Sequence, residues 1–214
     1  MMEVEIPIKN IILNGHLTGL PKAKRFVIYA HGSSSSRFSP RNKYVAQVLN
    51  SSRIQTMLID LLTKDEEVID GITRELRFNI RMLAERLVGI TNWAKNNDET
   101  KDSRFGYFVA STGAEAELMA VAELPYDINA VVSRVGRSDI AGSKLSQVKA
   151  PTLLLVGGLD ESVIDLNQQA LNQLGSDIKE LQIIEGATHL FEEIGTLEQV
   201  ADKANSWFIK YLSN

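Results

Sequence analysis

The side chains able to do covalent chemistry in this chain stand at the ends of apolar runs. Ser111 follows the run 105–110 and opens a stretch of small residues, Ser111-Thr112-Gly113-Ala114. Asp160 follows the run 152–156 through Gly157-Gly158-Leu159. His189 lies beyond the run 181–184, in Glu185-Gly186-Ala187-Thr188-His189-Leu190-Phe191, and no other histidine follows Ser111. A serine hydroxyl attacks poorly until a base removes its proton, and an imidazole does that best when a carboxylate fixes its tautomer. Hydroxyl, carboxylate and imidazole occur here in the order Ser, Asp, His, the set needed for nucleophilic acyl transfer.

Taken singly, each residue has an ordinary reading. Ser111 can cap the helix that begins beside it, and Asp160 can cap the next one; a lone histidine is more often structural than catalytic. Glu161 and Asp165 are the alternatives to Asp160. The joint placement carries the assignment. An apolar strand running straight into a small-residue helix is the setting of a nucleophile elbow, which holds a serine clear of the sheet. The usual elbow is Gly-x-Ser-x-Gly; Val109 takes the place of its first glycine. Upstream, His31-Gly32-Ser33-Ser34-Ser35-Ser36 follows the run 26–30 and reads as a loop donating one backbone N–H to an oxyanion. Ser33, with Ser34 as second choice, and Thr112 are the expected donors. A phosphate-binding turn is disfavoured, because the Gly-x-x-x-x-Gly-Lys-[Ser/Thr] spacing is missing. His31 is expected to hold the loop. Ser34 and Arg134 are the candidate substrate contacts; Arg134 and Arg137 can attract a substrate carboxylate, as can Arg37 and Arg41. Such arginines are more commonly solvated or paired with acids. His16, His31 and His189 show no ligand spacing, so neither a metal nor another cofactor is expected.

Residues 4–8 and 11–17 alternate in hydropathy on either side of a turn, as in an antiparallel entry hairpin. Six further runs, 26–30, 54–59, 105–110, 130–133, 152–156 and 181–184, read as strands. Helical spacing marks 41–50, 76–96, 113–123, 163–174 and 197–212. Strand–helix alternation implies an α/β fold, a mainly parallel eight-stranded sheet with helices on both faces. Its functional groups then collect at the carboxyl ends of the strands. No repeat, linker or composition shift divides the 214 residues, so a single domain over 1–214 is expected.

Lys and Arg number 23 against 27 Asp and Glu, leaving no basic footprint for nucleic acid. The absence of cysteine excludes disulfides, zinc thiolates and a thiol nucleophile. The first residues lack the basic and apolar regions of a signal peptide, and no apolar run approaches the ~20 residues of a membrane span. A cytoplasmic protein with no membrane partner is expected, as monomer or homodimer.

Together these residues resemble the α/β-hydrolase superfamily, and within it the dienelactone-hydrolase-like branch of small enzymes. The resemblance runs from the entry hairpin to the helix after His189. His31-Gly32-Ser33-Ser34-Ser35-Ser36-Arg37, Ser39-Pro40-Arg41-Asn42, Asp60-Leu61-Leu62-Thr63 and Gly186-Ala187-Thr188-His189-Leu190-Phe191-Glu192-Glu193 are similar to a subgroup sometimes fused to phosphoribosyltransferase domains. Dienelactone hydrolases proper use cysteine as nucleophile; in this chain Ser111 has to serve. In this superfamily cap domains usually enter after the strand placed at 130–133. Residues 133–150 are too few for a sizeable cap, and an open site suits small esters or lactones. The resemblance therefore implies a carboxylesterase-like serine hydrolase. A non-catalytic scaffold that binds a ligand or partner, and an acyltransferase using the same three residues, are the other readings.

Overall fold

The computed structural model describes residues 2–30, 36–110, 113–136 and 138–213. Eight strands form one sheet in the order β1-β2-β4-β3-β5-β6-β7-β8. The entry hairpin is β1 (Met2–Ile8) and β2 (Ile11–Thr18), antiparallel with Met2 opposite Leu17. β2 also runs antiparallel to β4 (Gln55–Ile59), and every later pairing is parallel. These involve β3 (Arg25–Ala30), β5 (Arg104–Ala110), β6 (Ile128–Arg134), β7 (Thr152–Gly157) and β8 (Lys179–Ile184).

The central strands read as unbroken apolar runs because both of their faces are covered. In β3, Phe26, Ile28 and Ala30 enter the core beneath α3 (Ile80–Asn96) and α4 (Gly113–Glu123). Val27 and Tyr29 enter the opposite core, beneath α1 (Pro40–Ser51) and α6 (Thr196–Tyr211). β5 repeats the division, with Tyr107 and Val109 on the first side and Phe108 on the second. α5 (Glu161–Gln173) flanks β7 and β8. Full burial of one such side chain contributes about 1.5–3 kcal/mol, and Phe26, Tyr29, Tyr107, Phe108 and Phe208 are all closed to solvent.

The region before Asn96 differs from the sequence expectation. An additional helix, α2 (Lys64–Thr73), occupies the charged stretch, and the segment expected to be helical from 76 breaks at Asn79. Leu76–Phe78 is one 3₁₀ turn, after which the Asn79 side chain accepts from the Met82 amide and starts α3. α2 is fastened by polar groups. Thr63 and Glu66 form a reciprocal capping box, and Arg86 on α3 grips Glu66 through two hydrogen bonds of 2.7 and 2.6 Å. Two 3₁₀ pieces separated by a kink at Gly142, together Ser138–Gln147, follow β6. Among the described residues no helix is long and apolar enough to cross a membrane.

Candidate active site

Parallel strands bring their carboxyl ends to one edge of the sheet, and there β7 and β8 release the two loops that carry Asp160 and His189. The loops are laced together. Gly158 N–H donates to Ile184 carbonyl and Leu159 N–H to Ala187 carbonyl, each at 2.9 Å. Gly157 permits this approach, since a Cβ there would stand 2.4 Å from the Ala187 carbonyl oxygen and 2.7 Å from that of Thr188. No side chain fits at such distances. The His189 loop is also tied to itself: Thr188 donates its amide and its hydroxyl to Glu193, at 3.1 and 2.6 Å, and Phe191 is buried below. Those hydrogen bonds hold the Glu193 carboxyl below its usual range.

Between the two loops His189 Nδ1 lies 2.6 Å from Asp160 Oδ2. A carboxylate only accepts, so Nδ1 carries the proton, and the neutral ring keeps Nε2 as a base. The imidazole is half-exposed and the carboxylate mostly covered. This pair can take a proton from a neighbouring hydroxyl while the carboxylate stabilises the imidazolium that forms.

Of the residues singled out in the sequence, Asp160 and His189 are thus brought together. Ser33, Ser34, Ser111 and Thr112, with His31 and Arg137, lie outside the described residues. Val109 and Ala110 at the end of β5 are buried, and Val109 packs in the core that also holds Ala114 and Ala116 of α4. Arg134 ends β6 in register with Ala110. Among the described residues no acid pairs with it; its side chain is buried, its guanidinium carbon 6.0 Å from the centre of the Phe108 ring. Val135, next to it, holds a left-handed φ of 47° that β-branched residues rarely adopt.

Arg37 is committed elsewhere. Its amide donates to Asp60 Oδ1 at 2.8 Å and its guanidinium pairs with Asp60 Oδ2. Buried His16 lies 3.5 Å from Arg37 Nε through its own Nε2, and meets the Phe38 ring edge-on at 5.1 Å. Arg37 and Asp60, one from each of the motifs 31–37 and 60–63, therefore meet in one brace beyond the end of β4. Composition and periodicity could not reveal it, because the pair is joined only by the fold. Glu117 is a second group the sequence did not single out. It is fully buried on α4 with neither carboxyl oxygen hydrogen-bonded, and burial pushes its pKa well above the usual carboxylate range.

No protein-family model matches the chain. A crystal structure of a dienelactone hydrolase from Anabaena variabilis is 51% identical, covers 99% of this chain and 98% of its own, and superposes with a TM-score of 0.96. Est1E from Butyrivibrio proteoclasticus, solved with ferulic acid bound, is 17% identical over 99% of this chain and 100% of its own, with a TM-score of 0.83, and shares the fold. Two Mycobacterium tuberculosis proteins provisionally named phosphoribosyl transferases are 48% identical over 210 residues, 98% of this chain. The chain spans 46% of their length, so it matches about half of each.

Proposed function

The chain belongs to the dienelactone-hydrolase-like branch of the α/β-hydrolase superfamily, and from that membership we propose that it cleaves small carboxylic esters or lactones by a serine mechanism. The observation that carries the reading is the 2.6 Å hydrogen bond between His189 and Asp160 at the carboxyl ends of β7 and β8. Ser111, the residue after Ala110 and hence next beyond β5, supplies the hydroxyl.

In the proposed reaction His189 Nε2 takes the Ser111 proton as Oγ attacks the ester carbonyl. Asp160 holds the ring and stabilises its cationic form. Backbone N–H groups of Ser33 (with Ser34 as second choice) and Thr112 stabilise the tetrahedral oxyanion, and losing one such donor costs roughly 10²–10³ in rate. The imidazolium then protonates the leaving alcohol. Water, deprotonated by the same histidine, releases the acyl group and restores Ser111. Among the described residues only the Ser138–Gln147 stretch stands where a cap would enter, which favours small, soluble substrates over long lipids.

The test compares wild type, Ser111→Ala and His189→Ala in hydrolysis of 4-nitrophenyl acetate and butyrate, with folding followed by circular dichroism. Folded variants that lose turnover support the mechanism; undiminished turnover in Ser111→Ala overturns it. A wild type that neither hydrolyses these esters nor reacts with a fluorophosphonate at Ser111 would instead be a binding scaffold.

A further inference from the structure

Where β6 ends against the first turn of α1, the described residues form a cluster rich in hydrogen-bond donors. Arg134 has 6% of its surface exposed, and Nη2 donates to Asn42 Oδ1 at 3.4 Å. Its Nε and Nη1 are buried without a hydrogen-bond partner. Buried guanidiniums ordinarily pair with carboxylates, because an uncompensated charge in a dry site costs several kcal/mol. Among the described residues no carboxylate pairs with this one.

What surrounds Arg134 adds positive potential. Asn42 and Arg41 belong to the first turn of α1, whose N-terminal end carries partial positive charge and holds no acidic residue. Arg41 Nε is likewise buried and unpartnered, and so is the Tyr29 hydroxyl. Burial, and then the neighbouring Arg41 charge, hold the Arg134 pKa down to about 10, with Tyr29 acting the other way. Arg134 thus stays charged at neutral pH. Glu192 meets Arg41 Nη1 at 3.3 Å from a largely exposed position. Such exposed pairs are worth little and give way readily.

We propose that Arg134, Arg41 and the N-terminus of α1 form a subsite for an oxyanion, a carboxylate or phosphate-type group carried by the substrate. The inference deepens the hydrolase reading and rests on it. Arg134 is in register with Ala110, which precedes Ser111, and Arg41 touches the segment that carries His189. An anion entering past Arg41 replaces Glu192 there and satisfies Nε and Nη1 of Arg134, the two donors left without a hydrogen-bond partner. Charge-assisted hydrogen bonds of this kind are worth roughly ten- to hundred-fold in binding.

The test uses the full chain and three esters of one leaving group: 4-nitrophenyl butyrate, 4-nitrophenyl hydrogen succinate and 4-nitrophenyl 3-phosphonopropionate. Wild type should favour an anionic ester in kcat/KM, and whichever is preferred identifies carboxylate or phosphate-type recognition. In Arg134→Gln, and in the more exposed Arg41→Gln should the first not fold, the anionic-to-neutral ratio should fall about ten- to hundred-fold. Calorimetry with malonate and with inorganic phosphate supplies a readout free of turnover, and binding should weaken in the same variants. Unchanged ratios, or anions that bind wild type and variants alike, overturn the subsite. If neutral esters are hydrolysed but no anion binds, the subsite fails and the reaction stands. If malonate or phosphate binds through Arg134 but no ester is cleaved, the subsite stands and the reaction fails.

Discussion

Arg37 and Asp60 bind each other twice, through backbone amide and guanidinium, and so pin the chain just past residues 31–35 to the end of β4. The pair is almost wholly buried. Removing one partner of such a pair leaves the other charge without compensation, at a cost of about 3–5 kcal/mol. Asp60→Ala should therefore lower unfolding stability by about 3 kcal/mol in urea titrations. Ester hydrolysis should lose more in kcat than in KM, because the proposed oxyanion donors Ser33 and Ser34 come shortly before Arg37 in the chain. A variant as stable and active as wild type would show that the brace is dispensable.

Glu117 gives stability an inverted dependence on pH. Burial raises the pKa of its carboxyl in the folded chain well above that of the unfolded chain. At pH values below about 4.3 both states bind the proton and no penalty exists. As pH rises, the unfolded state releases the proton while the folded state retains it. Stability then falls by about 1.4 kcal/mol per pH unit until the folded pKa is reached. Glu117→Met should be more stable than wild type at pH 8 and close to it at pH 4, by urea unfolding at each pH. Parallel pH curves for the two proteins would contradict this.

Glu66 behaves in the opposite sense. The Arg86 hydrogen bonds lower its pKa against the opposing effect of burial, and the Thr63 amide assists them. Its contribution is present above the unfolded pKa of about 4.3 and is lost as pH falls through the lower folded value. Glu66→Gln should cost about 1–2 kcal/mol at pH 7, with the difference from wild type shrinking on acidification. Urea unfolding at pH 7 and pH 3 measures it.

Gly157→Ala should act on chemistry as well as on stability. Its new methyl group must displace the carbonyls of Ala187 and Thr188, which carry His189. Overpacking of this kind costs about 1–3 kcal/mol, and a shift of ~1 Å in a catalytic group can cost about a hundred-fold in rate. Turnover of 4-nitrophenyl acetate by the folded variant is the measurement. A rate within a few-fold of wild type would mean that the loop relaxes without moving the imidazole.

Much of this architecture was legible in the residues, for a physical reason. Strands covered on both faces must be apolar throughout, so β3, β5 and β7 announce themselves, and the parallel topology then places Asp160 and His189 at one edge. α2 escaped because it has no helical apolar stripe facing the core. Val68, Ile69 and Ile72 point outward, and the helix is held by Thr63, Glu66 and Arg86, which no periodicity reports. The burial of Arg134 escaped for a different reason. A sequence shows an arginine after a strand but not that Phe108, Tyr29 and α1 close around it. The Arg37–Asp60 pair joins positions that only the sheet brings together.

The close approach at Gly157 also bears on how this chain can be altered by laboratory evolution. Two loops locked backbone to backbone cannot drift separately: a change that lengthens or re-angles the turn after β7 is tolerated only with a matching change after β8. Libraries that vary one loop alone should return mostly inactive clones, whereas paired libraries should recover activity. The Asp160 and His189 loops are in that sense one heritable unit, and a graft onto another scaffold must carry both.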